Sequence, residues 1–145
     1  MIRPATTADA PSLAALCGQL GYPTTVGDTN ARMDALTQES GHTTQPVFVY
    51  ELAGRVVAWM QLREAATLES GLCVEIIGLV VDESARSGGI GSTMVDFAKT
   101  WARERGHARL RVRTNQTRTR THEFYERKGF TLTKVQRVYD LSLAP

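Results

Sequence analysis

The chain has 145 residues, 42% of them apolar and 22% charged, with 17 Lys and Arg against 15 Asp and Glu for a net charge of +2. At this length folding removes ~68–70% of the unfolded surface from water, so one core suffices without disulfides or a structural metal. The near balance of charge excludes a protein devoted to nucleic acid or an anionic membrane. Cys17 and Cys73 lack zinc or redox spacing, and no stretch reads as a signal peptide or a membrane span, so the cytoplasm is the expected compartment.

No repeat or low-complexity linker divides the chain, and a single domain over 1–145 is expected, with a hydrophobic period that alternates between strand and helix. A short strand at Ile2–Pro4 leads to Thr6 and Thr7 as candidate helix caps, after which Leu13, Leu16, Cys17 and Leu20 recur at helical offsets until Gly21. A weaker helix follows over residues 28–38, anchored by Met33 and Leu36. Residues 47–52 and 56–62 flank Ala53-Gly54 and predict a hairpin. Residues 63–70 read as a polar connection. Residues 72–81 are apolar on both faces and predict a central strand, interrupted by one acid, Glu75.

Ile90, Met94, Phe97, Ala98, Trp101 and Ala102 then give an amphipathic helix closed by Gly106. Residues 109–114 predict a strand with Arg109, Arg111 and Arg113 on a solvated face. A helix over about 117–129 precedes two last strands, at residues 130–133 and 138–143, expected to pair with each other.

The most informative stretch is Val81-Asp82-Glu83-Ser84-Ala85-Arg86-Ser87-Gly88-Gly89-Ile90-Gly91-Ser92, where a buried strand enters a Gly-rich loop that opens a helix. Close backbone approach, the unpaired N–H groups of a helix's first turn and the charge of Arg86 together suit a phosphate. The loop lacks the third glycine of the dinucleotide fingerprint and the GK[ST] of Walker A. What it carries is R-x-x-G-x-G, and Asn115, Phe124-Tyr125 and Lys128-Gly129-Phe130 follow in order. With Ile2-Arg3-Pro4-Ala5 and Asp9 at its start, nearly the whole chain resembles the GCN5-related N-acetyltransferases, and within them the small-molecule amine acetyltransferases.

The resemblance implies a mixed α/β fold, with a mostly antiparallel sheet of six to seven strands and four flanking helices. It implies acetyl-CoA as cosubstrate and no metal. Arg86, Ser87, Gly88, Gly89, Ile90, Gly91 and Ser92 would hold the pyrophosphate, and Leu79, Val80 and Val81 would splay from the next strand to bond pantetheine, with Asn115 beside it. An N–H at Val80 or Val81 would polarise the thioester. Glu75 is the candidate general base, with burial expected to raise its pKa, and Tyr125 the general acid.

Glu75 is read equally well as a structural carboxylate bonded to a backbone group or an Arg. Tyr125 is read as core packing less readily, because Phe124 supplies an apolar anchor. His122 is set aside as a surface residue. Arg109, Arg111, Arg113, Arg118 and Arg120 read as charged surface rather than a nucleic-acid face, for want of interleaved aromatics. The expected partner is a small-molecule amine, with no nucleic acid and no membrane, and a homodimer is compatible with the family. The alternatives are acetylation of protein N-termini or lysines, and a non-catalytic acyl-CoA sensor. The resemblance implies an acceptor pocket against residues 22–41, 64–71 and 131–137, where Asp28, Asp34, Glu39, Glu64 and Glu69 read equally as negative charge for a cationic amine and as solvated surface.

Overall fold

The computed structural model describes residues 1–38 and 45–145, which group into two compact units, Met1–Arg113 and Thr114–Pro145. The first holds a five-stranded mixed sheet in the order β1-β2-β3-β4-β5: β1 (Ile2–Pro4), β2 (Val47–Leu52), β3 (Arg55–Thr67), β4 (Gly71–Val81) and β5 (Leu110–Val112). All neighbours are antiparallel except β4 and β5, whose parallel pairing needs the crossover made by helix α3 (Ile90–Glu104). Helices α1 (Ala10–Leu20) and α2 (Val26–Gln38) precede β2, and α4 (Thr119–Arg127) belongs to the second unit.

Local chemistry explains the element ends. Asp9 accepts from the Thr6 N–H at 2.8 Å and takes a two-pronged bond from Arg3, at 2.9 Å for each nitrogen, which fixes the entry into α1. These bonds to Arg3 hold the Asp9 carboxyl below its ordinary pKa despite burial. Gly21 closes α1 at φ 99°, a left-handed conformation that glycine adopts without a Cβ clash. The Thr25 hydroxyl accepts the Asp28 N–H at 3.0 Å and caps α2.

Residues directly opposite in a sheet share a face, so the register sorts the core. Phe48, Met60 and Leu79 oppose one another on the α3 side, where the Phe48 ring meets those of Phe97 (4.7 Å) and Trp101 (6.4 Å) edge to face. Met60, Leu62, Ile76, Met94 and Val95 are fully buried there, each burial worth roughly 1.5–3 kcal/mol. On the other side Val49, Trp59 and Val80 form a rank under α1 and α2, with Leu13 and Met33 packed on it.

Two expectations change. Residues 63–67 are strand, not connection: β3 runs on to Thr67, where the Thr67 hydroxyl accepts the Ser70 N–H at 3.1 Å and turns the chain into β4. The polar pattern hid the strand because its charged side chains pair across the sheet. The two strands expected after α4 are absent, so the described residues hold five strands rather than six or seven. No Gly, Asn or Pro separates residues 133 and 138 to make a turn, and an isolated two-stranded hairpin is marginal in water. Leu141 and Leu143 stand 82% and 89% exposed. Glu39 and Gly41, at the end of the expected acceptor segment, lie outside the described residues.

Candidate functional site

Strand β4 changes partners halfway. Val74, Glu75 and Ile76 pair with Leu110, Arg111 and Val112 of β5, and beyond Ile76 β4 pairs with β3 alone. A bulge marks the change: Gln61 opposes Gly78 and Leu62 opposes Ile76, leaving Ile77 as the extra residue. Gly78, beside the bulge, leaves room for the Trp59 ring, from which a Cβ there would sit 2.7 Å. The extra residue also re-aims the strand. Glu75 and Gly78, three residues apart, come to share the α1/α2 face, where strict alternation would oppose them.

Past the bulge the hydrogen-bond alternation decides which groups are free. The Asp82 N–H bonds the Val57 carbonyl at 2.7 Å, so Asp82, Val80 and Gly78 direct their backbone groups to β3. Leu79 and Val81 direct theirs to the edge that β5 has left. Of the two N–H groups expected to polarise a thioester, Val81 therefore faces the gap and Val80 does not.

The Gly-rich loop begins one residue later. Asp82 accepts from the Ser84 N–H (2.9 Å) and hydroxyl (2.7 Å), and Arg86 donates its Nε–H back to the Val81 carbonyl at 3.0 Å. Ser87 (φ 70°) and Gly89 (φ 82°) take left-handed conformations, and Gly89 caps α3. Arg86, Ser87, Gly88 and Gly89 are exposed, while Ile90 is buried as the first anchor of the helix, with Gly91 and Ser92 in its first turn. A backbone that turns left-handed twice and then opens a fifteen-residue helix offers N–H groups to an anion.

Of the two readings held for Glu75, the structure shows the carboxylate bonded to arginine. It opposes Arg63 of β3 and Arg111 of β5 in register. Its Oε2 accepts from Arg63, and its Oε1 from Arg111 (3.2 Å) and Arg113 (3.4 Å). Burial alone would raise its pKa, but Arg63 first, then Arg113 and Arg111, lower it below the ordinary carboxylate value. The expected upward shift is thus corrected in sign. The alternation that marked Arg111 and Arg113 as solvated surface missed this buried acid across the sheet. Glu64, proposed to attract a cationic amine, sits on the opposite face and pairs with His107 (2.9 Å) and Arg105 (3.6 Å).

In the second unit Tyr125 is buried, with the rings of Phe124 (5.0 Å) and Phe130 (5.4 Å) against it, and it is more buried than Phe124. Burial pushes its phenol up to about 12. Asn115 spends its side-chain carbonyl within its own turn, accepting from the Thr117 N–H (3.0 Å) and hydroxyl (2.8 Å). His122, set aside as a surface residue, places Nε2 2.8 Å from the Asn115 carbonyl. Among the described residues no three potential metal ligands cluster, and no helix is long and apolar enough to cross a membrane.

Comparison with known proteins identifies the family and the fold. The profile of the acetyltransferase (GNAT) family matches residues 18–130. No curated protein matches the chain. Among solved structures, a transcriptional regulator from Bacillus halodurans C-125 is 21% identical at TM-score 0.86, over 97% of this chain and 99% of that one. A putative acetyltransferase from Agrobacterium tumefaciens str. C58 is 24% identical at TM-score 0.83, over 97% and 99%. The aminoglycoside antibiotic 6'-N-acetyltransferase AAC(6')-IG from Acinetobacter haemolyticus is 15% identical at TM-score 0.83, over 99% of each chain.

Proposed function

The chain belongs to the GNAT acetyltransferase family, and from that premise we propose that it transfers the acetyl group of acetyl-CoA to a primary amine of a small molecule by direct attack. The observation that carries this reading is the opening of β4 from β5 past Ile77, continued by the loop from Arg86 to Ser92. The residues present suit coenzyme A. Leu79 and the Val81 N–H offer strand-edge groups to the amide-bearing pantetheine arm, and the loop offers N–H groups and Arg86 to the pyrophosphate.

The thioester supplies an activated acetyl group: a C–N bond forms, the C–S bond breaks, one proton leaves the amine and one reaches the sulfur. The Val81 N–H is the donor for the carbonyl oxygen as it gains charge. Tyr125, which the family motif marks as general acid, keeps its proton throughout the neutral range because burial disfavours the phenolate. Replacing it by Phe should lower kcat by about 100-fold with little change in KM for acetyl-CoA.

The role of Glu75 shifts from base to positioning residue. A carboxylate that accepts from three guanidinium groups has reduced proton affinity, so it is a poor base near neutrality. The same cluster carries three positive charges against one negative, which lowers the pKa of a nearby ammonium and increases the fraction of free amine. The acid limb of kcat/KM should therefore follow the pKa of the acceptor amine across a series and remain in place in Glu75→Gln.

The direct test is acetyl-CoA-dependent release of free thiol over polyamines, aminoglycosides, amino acids, aminophosphonates and peptides. Turnover with small amines supports the reading. A rise in melting temperature with acetyl-CoA, without thiol release from any amine, would replace it by a sensor.

A further inference from the structure

Among the described residues only two buried side-chain polar atoms lack a hydrogen-bond partner, the indole Nε1 of Trp59 and the Nε of Arg63. Both are donors, and an unmet buried donor costs about 1–3 kcal/mol. They lie on one strand, β3, four residues apart and so on one face, separated by about 13 Å of extended chain. Between them on β4 come Gly78, against the Trp59 ring, and Glu75, opposite Arg63. The bulge that frees the cofactor edge lies in the same interval.

Arg63, Arg111 and Arg113 surround the Glu75 carboxylate at the end of this face. A guanidinium has five N–H donors, and each of the three gives Glu75 a single one. Glu75 is only 5% exposed at its side chain, whereas Arg63 and Arg113 are 39% and 59% exposed, so the acid is spent inside while two cations keep donors facing outward. Surplus positive charge and unspent donors beside the point where acetyl would be transferred fit an anion better than a polycation.

We propose that the acceptor amine carries a carboxylate or phosphonate, bound by Arg63 and Arg113, with Glu75, itself bonded to Arg111, holding those two guanidinium groups in place. This rests on the reading of the chain as an amine acetyltransferase, and it names the acceptor class within it. The anionic group would sit on the Glu75 side of the bulge, with the amine toward Gly78 and the edge of Leu79 and Val81. Aminoglycosides and polyamines are disfavoured, because they would place further ammonium charge beside three guanidinium groups.

The experiment compares matched acceptors: an α-amino acid and its carboxamide, an aminoalkylphosphonate and its diester, and an aminoglycoside. The anionic member of each pair should exceed its neutral partner in kcat/KM by about 10–100-fold, the equivalent of a charge-assisted hydrogen bond. Arg113→Gln should bring that ratio toward one through KM, and Arg113→Lys should restore part of it. The two pairs distinguish a carboxylate from a phosphonate as the natural group. Faster turnover of neutral or polycationic amines, or a ratio unchanged in Arg113→Gln of wild-type melting temperature, would overturn the proposal and leave the acetyltransferase reading intact. Independently of turnover, calorimetric titration of the N-acetyl amino acid and its amide into the CoA-bound protein should show tighter binding of the acid. Equal affinities overturn the proposal even if no amine is acetylated, the result that would instead remove the acetyltransferase reading.

Discussion

The two halves of β4 are one continuous strand with opposite electrostatic habits. From Val74 to Ile76 it is held on both edges, by β3 and β5, and its one acid is saturated by arginines from both neighbours and from Arg113. From Gly78 it is held on one edge, and the backbone groups of Leu79 and Val81 face the opening, with Arg86 already bonded to the Val81 carbonyl. The first half is fixed by side-chain charge and the second is left open by backbone geometry. A fold that must bind an extended cofactor arm without losing its sheet can do so by confining the opening to the residues past a bulge, with the closed half as the clamp.

The closed half should break most severely. Glu75→Ala leaves the largely buried Arg111 without its counter-charge, and removing one partner of a buried pair costs about 3–5 kcal/mol, read as a drop in the denaturant midpoint at constant m. Its pH dependence has a definite sign. Because the folded-state pKa is below the unfolded value, the contribution is complete above about pH 4.5 and is lost as pH falls through the lower folded value. The stability gap between wild type and Glu75→Gln should close on acidification in that window, and a gap that widened there would contradict the arginine clamp.

At the junction, Gly78→Ala forces a Cβ to 2.7 Å from the Trp59 ring, so the indole must move; a loss of about 1–3 kcal/mol together with a change in tryptophan fluorescence is expected. The open half should respond in binding rather than in stability. Arg86→Ala should raise KM for acetyl-CoA by about 10-fold while the melting temperature of the free protein stays within a degree or two, since Arg86 is exposed. The smallest effect is expected from Gly89→Ala, about 1 kcal/mol for a Cβ at φ 82°. If Arg86→Ala proved as destabilising as Glu75→Ala, the division of β4 into a clamp and an opening would be wrong.

Much of this was legible in sequence. The loop from Arg86 to Ser92 and the amphipathic helix after it are local patterns, and glycine placement and helical spacing act on neighbours in the chain. Tyr125 and Asn115 were singled out only by what the resemblance implies. The bulge was signalled only by Gly78 in an otherwise apolar strand. The extension of β3 and the absence of strands after α4 were misread for one reason: strand formation depends on a partner, and the pattern of one segment does not reveal whether a partner exists.

What the sequence by itself determined is therefore the set of elements through α4, the phosphate-type loop and the presence of an acid on a central strand. What only the tertiary structure decided is the meaning of that acid. Arg63, Glu75 and Arg111 are separated by 12 and 36 residues, and sheet register across β3, β4 and β5 puts them side by side. The pKa of a buried group is set by charges a few ångströms away in space, whatever their distance in sequence. Hence an acid that reads along the chain equally as a desolvated base and as a structural carboxylate is, in the folded sheet, the centre of an arginine cluster.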